Sequence, residues 1–553
     1  MYVMDWAAAS TTLFSVVLCS IVTVVAAKLL KAKNKLNNHV YTRPLPPVVN
    51  VLALIPPLLN KGLQATIQDL YTKFGSVFTI NLLRPKVTLL IGPEVSAHFF
   101  QGLDSEISWG NLLEFTVPMY GQEVGYGVDT ATRNEHSNFI IQALQPSKLR
   151  SHVDPIFQEV EAYFAKWGQD GTVDLKHELE QVLMLTSSRC LLADVVRHQM
   201  ILTEIYSLLH ELENGANIIS FLFPYIPTPT NRRRDKAHIK LKEIFSAAVR
   251  SRSQAQEDAL QRPIDSKYKD GRPTAIAEIS GMMIILISTS RHTSSHTSIW
   301  TGARLLSNTK FLMAAVEEQK HIIRNYGNQI DYHAMSEMDT LHNCIKEALR
   351  MHPAGPVLFR KAHKTFKVHT KEGNEYDIPG GHNVTIPTVF NSKLPYIYRD
   401  PGVYDPDRFS PGRQEDKVGG KFSYTSFGGG RHICLGMAFA YLQIELIWSH
   451  LLRNFELKLM SHFPKADWSK ITPEPKGKAC GSTLSASGLY SPFEMAHMQG
   501  RVESGVTLWR SSFGADCMIR CATWVWLLPL RLALALPNLL GLPFHKPHSM
   551  WLA

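Results

Sequence analysis

Cysteine is scarce in this chain: there are seven among 553 residues, scattered and never in Cys-x-x-Cys or Cys-x-x-His spacing. A scattered odd set argues against a disulfide framework, and the missing pairs exclude a zinc ribbon. Also lacking are a Gly-x-Gly-x-x-Gly string that opens a helix and any repeated strand–helix–strand unit, which leaves a dinucleotide-binding fold unsupported. No repeat period is present, so solenoids are excluded too. Charge of one sign is thin where it would matter. Of the total of +10, residues 1–43 hold five basic groups against Asp5, and residues 479–553 hold five against three. Only +4 remains for the 435 residues between them, so no nucleic-acid face is expected. At 45% hydrophobic and 19% charged residues, the chain has an ordinary globular composition.

One long apolar run is present. Trp6–Ala27 is 22 residues without charge, proline or glycine. At about 1.5 Å per residue, such a helix crosses a hydrocarbon core of about 30 Å. Lys28, Lys31, Lys33 and Lys35 follow it and only Asp5 precedes it, so a retained single-pass anchor with a cytosolic body is expected. A cleaved signal peptide lacks support, because the usual basic start is missing. Pro44, Pro46, Pro47, Pro56 and Pro57 then predict a stiff, helix-breaking link to the body. From about Ala479 the texture becomes Ser/Gly-rich, then apolar around Trp524–Pro529 but interrupted by Arg531 and Pro537. No period persists there, so the favoured reading is a tail outside the folded domain, with a second span as the alternative. The expected parts are an anchor and basic linker over 1–43, one large domain over 44–478, and the tail over 479–553.

Residues 150–350 read as mostly helical, with apolar spacing of three and four in 159–167, 175–190 and 204–212. Val77–Ile80 and Val87–Ile91 read as a hairpin, residues 365–390 alternate around a turn at 371–374, and helix returns at 437–451. The fold class is therefore mainly α with small β-sheets.

The most informative window is Phe427–Gly428–Gly429–Gly430–Arg431–His432–Ile433–Cys434–Leu435–Gly436. Three glycines let the backbone turn and approach a flat ligand without a Cβ clash. Cys434 stands just before an apolar helix, whose free N–H groups and positive potential favour thiolate. An unpaired thiolate there suits axial ligation of haem iron, although a lone cysteine is more commonly just buried. Upstream, Glu347 and Arg350 share a helical face at i,i+3, a spacing that by itself marks only a salt bridge.

Together these strings resemble the cytochrome P450 superfamily: the Cys434 loop its haem-binding loop, Glu347-x-x-Arg350 its ExxR element, and Pro406–Phe409 its PERF element. The resemblance covers about residues 40–478. It implies the P450 fold behind an N-terminal transmembrane helix, haem b held by Cys434, and a structural network of Glu347, Arg350 and Arg408. The run His292–Thr293–Ser294–Ser295 resembles the oxygen-binding helix of the sterol 14α-demethylases, with Thr293 orienting a proton relay and His292 extending it. Residues 115–126 resemble the substrate roof of that family, which gives Phe115, Met119, Tyr120 and Ser290 substrate roles and puts Tyr126 on a haem propionate. Phe427, Gly430, His432 and Arg360 complete the implied cofactor contacts. Within the family the chain resembles plant obtusifoliol 14α-demethylases, and most closely a divergent grass branch associated with triterpenoids.

The resemblance implies a monooxygenase at the endoplasmic reticulum membrane that takes O2 and electrons from NADPH–cytochrome P450 reductase. Its substrate would be a sterol or triterpene. Sterol 14α-demethylation is the leading expectation, with a triterpenoid hydroxylase or epoxidase and a non-catalytic relative as alternatives. Several positions depart from the family. Thr289–Ser290 replaces Ala-Gly, where a serine side chain is expected to intrude or reorder water. Ser137 and Asn138 replace a basic residue, Leu113 replaces a tyrosine, and Gly127 replaces an aspartate. Ala479–Gly481 also breaks the usual terminal strand, so a substrate-lining hairpin is expected to be missing.

Overall fold

Apolar spacing of three and four residues builds a helical body around one long central helix. The computed structural model describes residues 41–82, 86–168, 170–192, 199–251, 261–460, 462–468, 472–476 and 481–485. Trp6–Ala27, the lysines after it and the apolar stretch at 524–529 lie outside the described residues, and with them the expected anchor and the second-span alternative. Among the described residues no helix is long and apolar enough to cross a membrane.

The main helices are α1 (Val51–Phe74), α2 (Thr130–Ala143), α3 (Leu175–Leu191), α4 (Gln199–Asn214) and α5 (Pro229–Arg250). They continue with α6 (Ile276–Leu306), α7 (Thr309–Tyr326), α8 (Asp339–Met351) and α9 (Met437–Asn454). Helix α6 starts where the Glu278 carboxylate accepts from the Ala275 N–H at 2.7 Å, satisfying one of the free donors of a helix start. It runs through the core, packed against α3, α5, α8 and α9, and is buried over most of its length. Met283, Ile284, Ile287, Ala303 and Leu305 are wholly enclosed there. A helix buried on nearly every side is usually apolar all round, and 281–287 fit that; the polar stretch 288–298 is the exception, mostly buried although hydroxyl-rich.

The strands gather at the edge of this body. One sheet runs in the order β1 (Val48–Asn50), β2 (Val77–Asn81), β3 (Lys86–Leu90), β9 (Asn383–Ile386), β6 (Leu358–Ala362), β4 (Ile107–Ser108). The expected first hairpin is its β2–β3 pair, with Val77 opposite Leu90. The second is β7 (Phe366–His369) against β8 (Glu375–Ile378), with the turn where the sequence predicts it.

Two expectations are corrected. Pro56 and Pro57 do not break the chain; they sit inside α1, whose Asn50 cap accepts from the Leu52 N–H at 3.0 Å. Burial of Val51 and Leu54 outweighs the missing donors, and the break falls instead at Gly62, where φ is 81°. Secondly, the folded part does not stop at 478. After the short antiparallel pair β11 (Ala466–Asp467) and β12 (Glu474–Pro475), Gly481–Ser485 forms β13, lying between β10 (Glu456–Leu459) and β5 (Asp170–Asp174) with antiparallel pairing on both sides. Backbone pairing needs no apolar side chains, so the Ser/Gly texture hid the strand.

Candidate active site

The glycines of the Cys434 loop are required by its path. Gly428 and Gly430 have φ of 73° and 59°, the left-handed region that favours glycine. A Cβ on Gly430 would fall 2.1 Å from the Phe100 carbonyl oxygen. The Cys434 N–H donates to the Phe427 carbonyl at 2.9 Å, closing the loop. The Phe427 ring packs on Tyr441 of α9, 5.4 Å between centroids. Cys434 is a free cysteine whose side chain is exposed, yet burial pushes its thiol up from the ordinary range. The two facts are compatible: the sulfur is surrounded by protein but faces open space within it. The N–H groups of Gly436 and Met437 at the start of α9 bond to it and pull the thiol back down. The helix start alone therefore does not make the thiolate, as the sequence suggested; burial wins, and a bound cation is what reverses such a balance. A cleft of about 580 Å³ lies beside the loop against Phe427, Ile433 and Met437, and neither Cys434 nor any residue of α6 lines it.

Helix α8 holds this loop. Tyr424 donates to the Lys346 carbonyl at 3.1 Å and Ser426 to the Leu349 carbonyl at 3.2 Å. Inside the same helix Glu347 and Arg350 are fully buried and paired at 2.7 and 2.8 Å, and buried Arg408 donates to Glu347 at 3.0 Å. The sequence missed the fourth member, Glu415, which accepts from Arg408 and from Arg413. Backbone carbonyls of Ser392, Pro401, Arg399 and Val403 take further guanidinium protons. The expected triad is thus a balanced set of charges, for which nearly every hydrogen bond is made.

A second cluster of charge is not balanced. Arg360 on β6 is 3% exposed, lies over the Trp109 ring at 3.6 Å, and leaves its Nε without a partner. Burial lowers its pKa to about 10. Tyr126 belongs to the same group and is pushed up to about 12 by burial, against the pull of Arg133 and Arg360. His432 is held below its ordinary value by burial and by Arg360, and its Nε2 meets Asp104 at 2.9 Å. Asp104 carried no sequence signal. Nor did Arg133, whose guanidinium lies over Tyr126 at 4.7 Å, one turn before Ser137, whose hydroxyl donates to the Arg133 carbonyl. The basic residue missing at 137–138 thus has a neighbour of the same charge.

On α6 the open positions are few. Thr289 and Thr293 are exposed and Ile285 half-buried, a stripe at i, i+4 and i+8. Thr293 donates to the Thr289 carbonyl at 2.8 Å. His292 Nδ1 lies 3.7 Å from Glu213 and 3.8 Å from Glu474, and buried Arg291 pairs with the same Glu213. The Ser290 hydroxyl turns back to the Ile287 carbonyl at 3.2 Å, so it does not stand out from the helix as expected. Phe115 packs on Phe221 at 5.4 Å, Met119 is buried, and Tyr120 is pushed up to about 12 by burial while bonding to Ser288. Leu113 packs against the same core. Gly127 has a backbone reason, since a Cβ there would meet the Gln122 carbonyl at 2.5 Å.

A family model described as Cytochrome P450 matches residues 41–480. The chain belongs to the cytochrome P450 family. Obtusifoliol 14-alpha demethylase of Sorghum bicolor is 49% identical over 439 residues, 78% of this chain and 89% of that protein. Sterol 14-demethylase of Arabidopsis thaliana is 49% identical, covering 78% and 90%, and human lanosterol 14-alpha demethylase is 32% identical, covering 74% and 80%. The fold is also that of a retinoic-acid-bound cyanobacterial CYP120A1, with TM-score 0.69 and 19% identity over 81% of this chain and all of that one. P450 membership implies a haem-iron cofactor. The residues present fit one: a lone sulfur facing open space under two N–H groups, and a buried guanidinium with an unpartnered Nε among Arg133, Tyr126 and His432. The first matches a metal that takes one thiolate, the second a ligand bearing carboxylates.

Proposed function

We propose that this P450 oxidises a sterol or related polycyclic triterpenoid, with 14α-demethylation of an obtusifoliol-type sterol as its reaction. The observation that carries the chemistry is Cys434, a free sulfur that is enclosed and yet open, at the start of α9. The sterol assignment rests on the 49% identity to plant demethylases. Haem b supplies dioxygen activation when bound, through its iron. Cys434 would hold its iron through the sulfur, Phe427 and Gly430 would shape the loop around that sulfur, and Arg360, Arg133, Tyr126 and His432 would receive its carboxylates. Thr293 passes protons at the oxygen site, and His292, between Glu213 and Glu474, connects it outward. Phe115, Met119, Tyr120 and Ser290 bound the substrate.

Each turnover inserts one oxygen atom of O2 into a C–H bond to give an alcohol. The other atom leaves as water with two protons and two electrons, the latter from NADPH–cytochrome P450 reductase. In the demethylation two such insertions at one methyl group give, after loss of water, an aldehyde, and a third O2 with two further electrons and two protons releases that carbon as formic acid, forming water and leaving a ring C=C bond. Residues 1–43 anchor the protein in the endoplasmic reticulum membrane. A second reading, hydroxylation or epoxidation of a triterpenoid, is favoured by the hydroxyl groups of Thr289 and Ser290 in place of small side chains. The test is a carbon monoxide difference spectrum of the reduced protein followed by turnover of obtusifoliol and of a pentacyclic triterpene. A thiolate-type Soret band with obtusifoliol turnover is expected. Turnover of the triterpene alone selects the second reading, and a well-folded protein without the band rejects both.

A further inference from the structure

Strand β4 is two residues long and pairs antiparallel with β6, Ile107 opposite Ala362 and Ser108 opposite Lys361. The next position along that ladder sets Trp109 across from Arg360. The chain is pinned on both sides of the indole. The Ser108 hydroxyl accepts from the Gly110 N–H at 3.1 Å and bonds to His363 Nε2 at 2.7 Å, and Gly110 turns with φ of 52°. A Cβ on Gly110 would come within 3.0 Å of the Lys361 side chain, so the turn lies close against β6. A half-buried tryptophan at a sheet edge is ordinarily packing. Here its face is taken by a cation. The central carbon of the Arg360 guanidinium lies 3.6 Å from the ring centroid, which is van der Waals contact. At that separation the guanidinium lies flat on the ring, because an end-on approach would drive a nitrogen into it.

A guanidinium held flat on a ring keeps its N–H groups in the plane, where a carboxylate can take two parallel bonds from the side. Arg360 spends Nη1 on the Phe359 carbonyl at 2.9 Å, while its Nε has no partner. Trp109 also meets Tyr126 edge-on, 6.2 Å between centroids at 72°, and Arg133 lies over the Tyr126 ring at 4.7 Å. Arg360 approaches Phe99 as well, at 5.1 Å, and Phe99 adjoins Phe100, whose carbonyl fits against Gly430 of the Cys434 loop. Trp109 therefore joins β6 to the turn of Tyr126, beside that loop. We infer that Trp109 is a positioning residue for cofactor binding: it fixes the plane of Arg360 and ties it to Tyr126, so that the free edge of the guanidinium is held open for a haem carboxylate. This rests on the reading that the Arg360 group receives those carboxylates. No local motif marks Trp109, since its place comes from the β4–β6 register.

The test is a double-mutant cycle on the haem-loaded full chain, read as the rate of haem transfer to apomyoglobin. Trp109→Leu is expected to speed transfer about tenfold, the scale of a desolvated cation–π contact. Arg360→Met should speed it at least as much. The two changes together should stay within about twofold of Arg360→Met alone, because the ring acts through the guanidinium. Trp109→Phe, which restores an aromatic face, should stay within about threefold of the native rate. If the leucine variant does not load haem, Trp109→Gln takes its place in the cycle. An acceleration by Trp109→Leu of the same size with and without Arg360, or a loss that Trp109→Phe does not rescue, makes the ring mere packing and overturns the inference, leaving the haem reading intact. A native transfer rate in Arg360→Met overturns the reading of the Arg360 group and the inference together.

Discussion

Two groups of buried arginine, one around Glu347 and the other at Arg360 beside His432, have opposite electrostatics. Arg350 and Arg408 are fully buried and meet Glu347, Glu415 and four backbone carbonyls. Arg360 is buried almost as deeply, yet it meets one carbonyl and an aromatic face and keeps an unpartnered Nε. An uncompensated buried charge is costly, and a fold retains one where a ligand will neutralise it. The first group serves the fold whether or not anything is bound. The second keeps an unmet donor that an anionic ligand would satisfy, with Asp104 and Tyr126 offsetting part of its charge.

The contrast can be broken experimentally, beginning with the balanced side. Glu347→Gln leaves two buried guanidinium groups short of charge and should cost about 3–5 kcal/mol of stability, read by denaturant unfolding of the haem-free chain. The same loss from Arg360→Met would erase the distinction; that variant should leave haem-free stability nearly unchanged. Its effect belongs to the cofactor, with haem transfer to apomyoglobin accelerated by an amount matching about 1.5–3 kcal/mol. Between these stand buried neutral groups. Burial pushes His296, His382 and His450 each down to about 4. The unfolded chain protonates them near 6.5 while the folded chain does not, so stability falls as pH drops below about 6.5 and levels off below about 4. Together they should cost about 2 kcal/mol between pH 7 and 6, and a flat profile of denaturation midpoints over that range would count against their burial as neutral rings. The smallest effect belongs to Asp407, next to Arg408 in sequence but paired with Lys310 in solvent. Asp407→Asn should change stability by less than about 0.5 kcal/mol in the same unfolding assay.

Legibility in the sequence followed the range of each interaction. The Cys434 loop, α6 and the Glu347–Arg350 pair are local, written in glycines, apolar period and i,i+3 spacing, and all three stand where those patterns put them. Glu415 could not be read, because nothing in its own neighbourhood marks it as the partner of a glutamate on a distant helix. Asp104 and Arg133 were hidden likewise, since Asp104 acts from a turn that meets the 3₁₀ turn of His432 across the fold, and Arg133 from the first turn of α2 folded back over the 3₁₀ turn of Tyr126. The prolines of α1 misled for the opposite reason: local propensity was clear, but tertiary burial of Val51 and Leu54 overrode it. Strand β13 has almost no side-chain signal at all, since its stability comes from backbone pairing on both flanks.

That last strand governs how the protein can be shortened. β13 is the middle member of its sheet, joining β5 from the first half of the chain to β10 from the second. Cutting the polypeptide before Gly481 does more than trim an end. It leaves a slot between two parallel rims of unsatisfied backbone donors and acceptors, the geometry that invites an extended peptide or a neighbouring molecule to fill it. A version ended after Ser485 retains its own plug, and one ended a few residues earlier becomes a receptor for someone else's strand.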